Sequence, residues 1–225
     1  MVRSRLGVIT GMMLLMGGCA QQPVNPVTQE SDAFKPVIRC HDDVEPEGRV
    51  QLEMVDTLIS RDKPYAALAQ LQKDHQSNQE YWQRYGELLA KTGDMDRALT
   101  VFTRMRDQCD SGEAYHGLGM IDLKNGNLTD SLDAFRKAVD RLPASASVRN
   151  DYGYALLLEG DYKKAKLHLR TALELENGTG AARQNLAVAY LLDGDNKGLA
   201  FLKKTYSFSD KELAYARSLA DQLRR

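Results

Sequence analysis

Residues 150–173 read NDYGYALLLEGDYKKAKLHLRTAL, and how this stretch is parsed decides the fold. Gly160 stands at its middle, Gly153 seven places before and Ala165 five places after, with Leu169 four further on. The spacing predicts two helices joined at Gly160, where the chain needs a positive φ and glycine carries no steric penalty. The small residues predict close approach of the two helices to each other. The same markers return along the chain. Glycine-led turns at Gly93 (GDMD), Gly126 (GNLT), Gly160 (GDYK) and Gly194 (GDNK) lie 33, 34 and 34 residues apart. Ahead of them stand Tyr85-Gly86, Leu118-Gly119, Tyr152-Gly153 and Leu186-Ala187; behind them stand Ala98, Ser131, Ala165 and Leu199, then Phe102, Phe135, Leu169 and Lys203. A period of this length is a sign of stacked helical hairpins that bury one another's apolar faces.

The pattern resembles the tetratricopeptide (TPR) repeat. Trp82, Tyr85, Gly86, Leu89, Ala98 and Phe102 meet its motif in one unit, and Tyr115, Leu118, Gly119, Ser131, Phe135 and Pro143 meet it in the next. The resemblance covers roughly residues 46 to 208 and implies an all-α TPR solenoid of about five helical hairpins. In such a stack Gly86, Gly119, Gly153 and Ala187 bring each first helix close to its own second helix, while Trp82, Phe102 and Phe135 fill the space between units. An earlier unit, EMVDTLISRDKPYAALAQLQ, aligns with Arg61-Asp62 at the turn and Ala66 at the close-packing place, giving helices over about 48–60 and 64–74, with Pro64 in the first turn. The last unit has Lys203 and Tyr206 where an aromatic and a small residue belong, so KGLAFLKKTY is expected to pack differently. In SDKELAYARSLADQLRR, Ser209 and Glu212 form a capping box ahead of an apolar side, which predicts a closing helix over 209–225.

The amino terminus is of another kind. Arg3 and Arg5, the uncharged run Leu6–Met16 and the small pair Gly17-Gly18 have the layout of a secretory signal over residues 1–18. Met16-Gly17-Gly18-Cys19 resembles the lipobox of bacterial lipoproteins, with Met16 where leucine is commonest. That resemblance implies a lipidated Cys19, membrane attachment through the amino-terminal lipid and, with Ala20 following, delivery to the outer membrane on its periplasmic face. Acylation by more than one chain makes such an anchor durable, at about 0.8 kcal/mol per buried CH₂. Residues 19–45 carry Pro23, Pro26 and Pro36 among polar residues, with Pro46 just beyond, and read as an extended tether.

Composition bounds the chemistry. With 43% hydrophobic and 27% charged residues in 225, the chain has the makings of a core, and its net charge of −1 offers no basic footprint for nucleic acid. Apart from Cys19 there are two cysteines, Cys40 and Cys109. Either they form a disulfide that pins the tether to the stack, which the compartment favours, or they are two unrelated thiols. CHDD at residues 40–43 lacks a second cluster of soft ligands, so no metal and no cofactor are expected. His41, His75, His116 and His168 are scattered and no nucleophile or phosphate motif occurs, which points away from an enzyme.

The TPR resemblance instead places a concave, protein-binding groove on the first helix of each hairpin. Its lining is expected from Gln83, Glu87 and Lys91; His116, Met120 and Leu123; Asn150, Tyr154, Leu157 and Leu158; and Gln184, Val188, Leu191 and Leu192, turning apolar towards the carboxyl end. Gln83 and Glu87 stand where chaperone-binding TPR domains need Lys and Asn to hold a terminal carboxylate, which disfavours that partner. Anchor, tether and groove together resemble the TPR lipoproteins of pilus machines, in layout the Tad/Flp pilus assembly lipoprotein and then the type IV lipoproteins that help a secretin assemble. The implied partner is an envelope protein such as a secretin or a pilus-assembly subunit. The other reading the residues leave open is an adaptor for peptidoglycan enzymes or envelope proteases.

Overall fold

The computed structural model describes residues 34–40 and 43–224; the expected signal, Cys19 and the tether up to residue 33 lie outside the described residues. Among these, eleven helices follow one another: α1 (Pro46–Ser60), α2 (Pro64–Leu71), α3 (Gln79–Thr92), α4 (Met95–Cys109), α5 (Gly112–Lys124), α6 (Leu128–Arg141), α7 (Ala146–Glu159), α8 (Tyr162–Leu175), α9 (Gly180–Leu192), α10 (Asn196–Tyr206) and α11 (Asp210–Leu223). They pair as five hairpins, α1 with α2 through α9 with α10, and α11 packs on α9. First helices also touch in series, α3 on α5, α5 on α7 and α7 on α9, which is the geometry of a solenoid.

Local chemistry explains the helix boundaries. Side chains of Asn78, Asp94, Ser111, Ser145, Asp161 and Asp195 each accept a hydrogen bond from a backbone N–H in the first turn of α3, α4, α5, α7, α8 and α10. Such caps contribute roughly 1 kcal/mol each. Ser209 and Glu212 complete the reciprocal capping box at the start of α11. The turn glycines have φ of 98° (Gly93), 81° (Gly126), 88° (Gly160) and 69° (Gly194). A Cβ at any of these four would meet open space, so backbone conformation, not crowding, selects glycine there.

Crowding selects the glycines inside the hairpins. A Cβ on Gly86 would lie 2.8 Å from the Phe102 ring, one on Gly119 2.8 Å from Phe135, and one on Gly153 2.5 Å from Leu169. Each pair joins the first helix of a hairpin to its own second helix. Phe102 also meets the next hairpin, where a Cβ on Gly117 would lie 2.4 Å from its ring. Ser131, fully buried, donates its hydroxyl to the Gly119 carbonyl at 2.8 Å, which satisfies the polar group that replaces alanine in that unit.

Two expectations need correction at the ends of the stack. In the first hairpin the buried alanine is Ala67, while Ala66 is exposed. Asp62, with φ of 53°, takes the left-handed place that glycine holds elsewhere, and counting five residues from it gives Ala67. Aspartate tolerates that conformation through local hydrogen bonding, so the turn sits one residue later than Arg61 suggested. Helix α2 also ends at Leu71, not near 74, because Gln51 from α1 donates its amide to the carbonyls of Gln70 and Asp74 and holds the chain in a turn.

Residues 34–40 are extended but packed. Pro36 and Ile38 are buried, and Ile38 and Val44 belong to the apolar cluster that contains Trp82 and Tyr85. Cys40 and Cys109 form a disulfide with their Cα atoms 5.4 Å apart, tying this strap to the end of α4.

Candidate protein-binding groove

The first helices present their exposed sides in a row. A concavity of about 780 Å³ lies along α3, α5 and the start of α7, lined by Gln83, Glu87 and Lys91, by Met95, and by His116, Met120, Leu123 and Lys124. Met120, which is 43% exposed, faces solvent from its wall. On α7, Tyr154 holds the same place in the repeat as Met120, and it and Leu158 are 37% and 38% exposed. The strap does not enter this concavity: the cleft beside it is lined by Phe34, Pro36, Leu99, Thr100, Thr103 and Arg104, none of which lines the groove.

The polar members are ordered. Gln83 donates to Glu87 at 2.9 Å, and Lys91 pairs with Asp62 of the preceding turn at 2.9 Å. The Lys91 ammonium, by hydrogen bond and charge, holds the Asp62 carboxyl below the usual carboxylate range. From His116 in the wall of the concavity runs a ladder that links three first helices. His116 Nε2 lies 2.8 Å from Asp151 Oδ2, Asn150 donates to Asp151 Oδ1 at 3.0 Å, and Asn185 donates to Asn150 at 2.9 Å. Asp151 and Asn185 were not singled out from the sequence. Their signal is that each closes a run of three polar residues near the start of its helix, Arg149-Asn150-Asp151 on α7 and Arg183-Gln184-Asn185 on α9.

The carboxyl end of the expected lining is different. Leu157 and Val188 are buried, at 3% and 2% exposure, and therefore belong to the core instead of to an open wall. Leu191 and Leu192 are half-buried against the same cluster. Helix α11 stands over this stretch: Gln184 donates to the Glu212 carbonyl at 3.2 Å, and Arg224 donates to the Leu191 carbonyl at 2.9 Å. Arg183 grips the Glu212 carboxylate at 2.7 Å and the Tyr206 carbonyl at 2.6 Å. The closing helix thus covers the end that the repeat pattern alone would leave apolar and open.

The tetratricopeptide repeat model matches residues 66–113 and 116–182, just over half of the chain. The chain belongs to the tetratricopeptide repeat family. A TPR repeat-containing protein, PA4299 of Pseudomonas aeruginosa, is 29% identical over 206 residues, covering 92% of this TPR chain and 80% of its own. The solved thermophilic TPR protein TTC0263 of Thermus thermophilus superposes with a TM-score of 0.60 at 19% identity, over 78% of this chain and 98% of that one. MamA from Desulfovibrio magneticus RS-1, residues 41 to the end, gives 0.50 at 20% identity, over 80% and 98%. These structures share the fold. TPR stacks of this kind are typically non-catalytic scaffolds for protein–protein contacts. Among the described residues no group of three or more His, Cys, Asp or Glu could hold a metal ion, and no helix is long and apolar enough to cross a membrane.

Proposed function

We propose that this TPR chain is a lipid-anchored scaffold of the bacterial envelope that takes an amphipathic segment of a secretin or pilus-assembly subunit into its groove and assists its assembly in the outer membrane. The observation that carries this reading is the exposure of Met120, Tyr154 and Leu158 at groove places of the repeat, on helices that hydrogen bonds link one to the next. An apolar strip in a rigid concave wall suits the oily face of a partner helix or strand, whose burial supplies the affinity. The lipobox at Cys19 supports the envelope location, and the disulfide agrees with an oxidising compartment.

A photoreactive residue at Met120 or Tyr154 tests the groove, with Leu167, 63% exposed on the outer helix α8, as control. Crosslinks to a secretin or pilus subunit from the groove positions alone are the expected result. Equal adducts from Leu167 would remove the groove, and adducts to peptidoglycan enzymes would replace the pilus reading with the adaptor. Deletion of the gene is expected to deplete secretin multimers from the outer membrane; unchanged multimers would overturn the assembly role.

A further inference from the structure

Residues 34–40 carry no helix, yet they sit against α3 and α4 as a bound peptide would. The Phe34 ring lies edge-on to Trp82 and stacked on Tyr85, each with centroids 6.1 Å apart, and the Arg97 guanidinium stands 5.7 Å from the Phe34 ring. Trp82 Nε1 donates to the Val37 carbonyl at 2.8 Å, the Arg39 N–H donates to the Ser77 carbonyl at 2.7 Å, and Gln79 donates to the Cys40 carbonyl at 2.9 Å. Pro36 and Ile38 point inward, while Lys35, Val37 and Arg39 are exposed, the alternation of an extended strand. All three hydrogen bonds go to the main chain of the strap. Beside these contacts the Pro36 and Ile38 side chains are buried and the Phe34 ring is half-buried, and a short extended segment seated on the outside of a helical stack is drawn from its less stable part.

The covalent contact is different in kind. Cys40 and Cys109 are both only half-buried, so a small reductant can reach the bond. We propose that Cys40–Cys109 is a redox latch: the oxidised bond keeps residues 34–40 in their seat, and its cleavage by a dithiol releases them and uncovers Trp82 and Tyr85. One thiolate of the dithiol attacks a sulfur of the bond, forming a mixed disulfide as the other cysteine leaves as thiolate and takes a proton. The second thiol of the reductant then attacks the mixed disulfide, closing its own disulfide and freeing the second cysteine as a thiol. Two electrons pass from the dithiol to the bond, and two protons finish on Cys40 and Cys109. The latch is independent of what the groove binds and of the lipid anchor.

Trp82 is the single tryptophan of the chain, so its fluorescence reports the seat alone. The full chain is treated with dithiothreitol, and alkylation with mass spectrometry at Cys40 and Cys109 establishes cleavage. The expected result is a red shift of Trp82 emission and a severalfold rise in acrylamide quenching, with unchanged far-ultraviolet circular dichroism. C40S is expected to behave this way without reductant. Buried Trp82 emission with both thiols alkylated would overturn the latch. Loss of helical signal on reduction would overturn it as well, because the bond would then be a staple of the stack.

Discussion

In α3–α4, α5–α6 and α7–α8 the small residue lies on the first helix and the large one on the second: Gly86 under Phe102, Gly119 under Phe135, Gly153 under Leu169. In α9–α10 Ala187 and Leu202, both fully buried, keep that order, and a further pair has the sizes exchanged. Tyr190 on the first helix is fully buried, and a Cβ on Gly198 of the second helix would lie 2.2 Å from its ring. The Tyr190 hydroxyl accepts a hydrogen bond from Arg170 of α8 at 2.5 Å, so the exchanged pair also ties the last hairpin to the one before it. The lesson is that the hairpin needs complementary sizes across its interface, and which helix supplies the large partner is free so long as the axes stay close. Lys203, aligned with Phe102, is accordingly released to the surface, and Leu202 beside it is buried in its stead.

The comparison breaks most visibly at the aligned pair. Phe102→Ala is expected to lose about 3–5 kcal/mol in urea unfolding, since the ring fills space against Gly86 and Gly117 at once. Lys203→Ala is expected to stay within about 0.5 kcal/mol. Equal losses at the two positions would contradict the exchange of sizes. Next in size is Gly198→Ala, at about 1–3 kcal/mol from overpacking against Tyr190. Adding Tyr190→Leu should recover part of that loss, and strict additivity of the two changes would show that they do not share one contact.

Two smaller effects contrast the capped end with the interior. The Arg183 guanidinium, then the Ser209 hydroxyl and main chain, push the Glu212 carboxyl down to about 2. Its folded value lies below the unfolded one of about 4.3, so the contribution is present above that pH and is lost as pH falls towards about 2. Because the pair is partly exposed, E212Q should cost at most about 1 kcal/mol at neutral pH and should flatten the acid limb of a thermal-melt series. A limb identical to that of the unaltered chain would remove Glu212 from it. Smallest is His168, between α7 and α8. Burial, and then the charge of Arg149, whose guanidinium lies 3.3 Å from Nδ1, lower the imidazole below its ordinary value; the Tyr152 ring lies against it at a tilt, with centroids 4.6 Å apart. Here too the folded value is the lower one, so stability is present above about 6.5 and falls as pH drops below it. His168→Gln is expected to shrink the melting-temperature difference between pH 7.5 and pH 5.5; an unchanged difference would assign it to other groups.

The fold was legible because four of the five solenoid units repeat one local problem: a positive-φ turn at glycine and a small residue seven places ahead of it. The exposure of Met120 and Tyr154 was legible from the repeat register. The lining was not legible at the carboxyl end, because burial of Leu157 and Val188 depends on α9 and α11 packing against them, and that follows from no periodicity within either helix. The register of the first turn was missed because Arg61, Asp62 and Lys63 are all polar, and only backbone geometry shows that Asp62 has the positive φ.

Sequence by itself determined the number of hairpins, the glycine turns of the last four and the helix that closes them, since these rest on contacts local in the chain and on side-chain size. Tertiary structure alone decided the rest: that Phe34 and Trp82 seat an extended strap, that Tyr190 and Gly198 exchange roles, and that His116, Asp151, Asn150 and Asn185 join hands across three helices. Each of these joins residues whose contact depends on the angle and spacing of whole helices, and those are set by the packing of the entire stack.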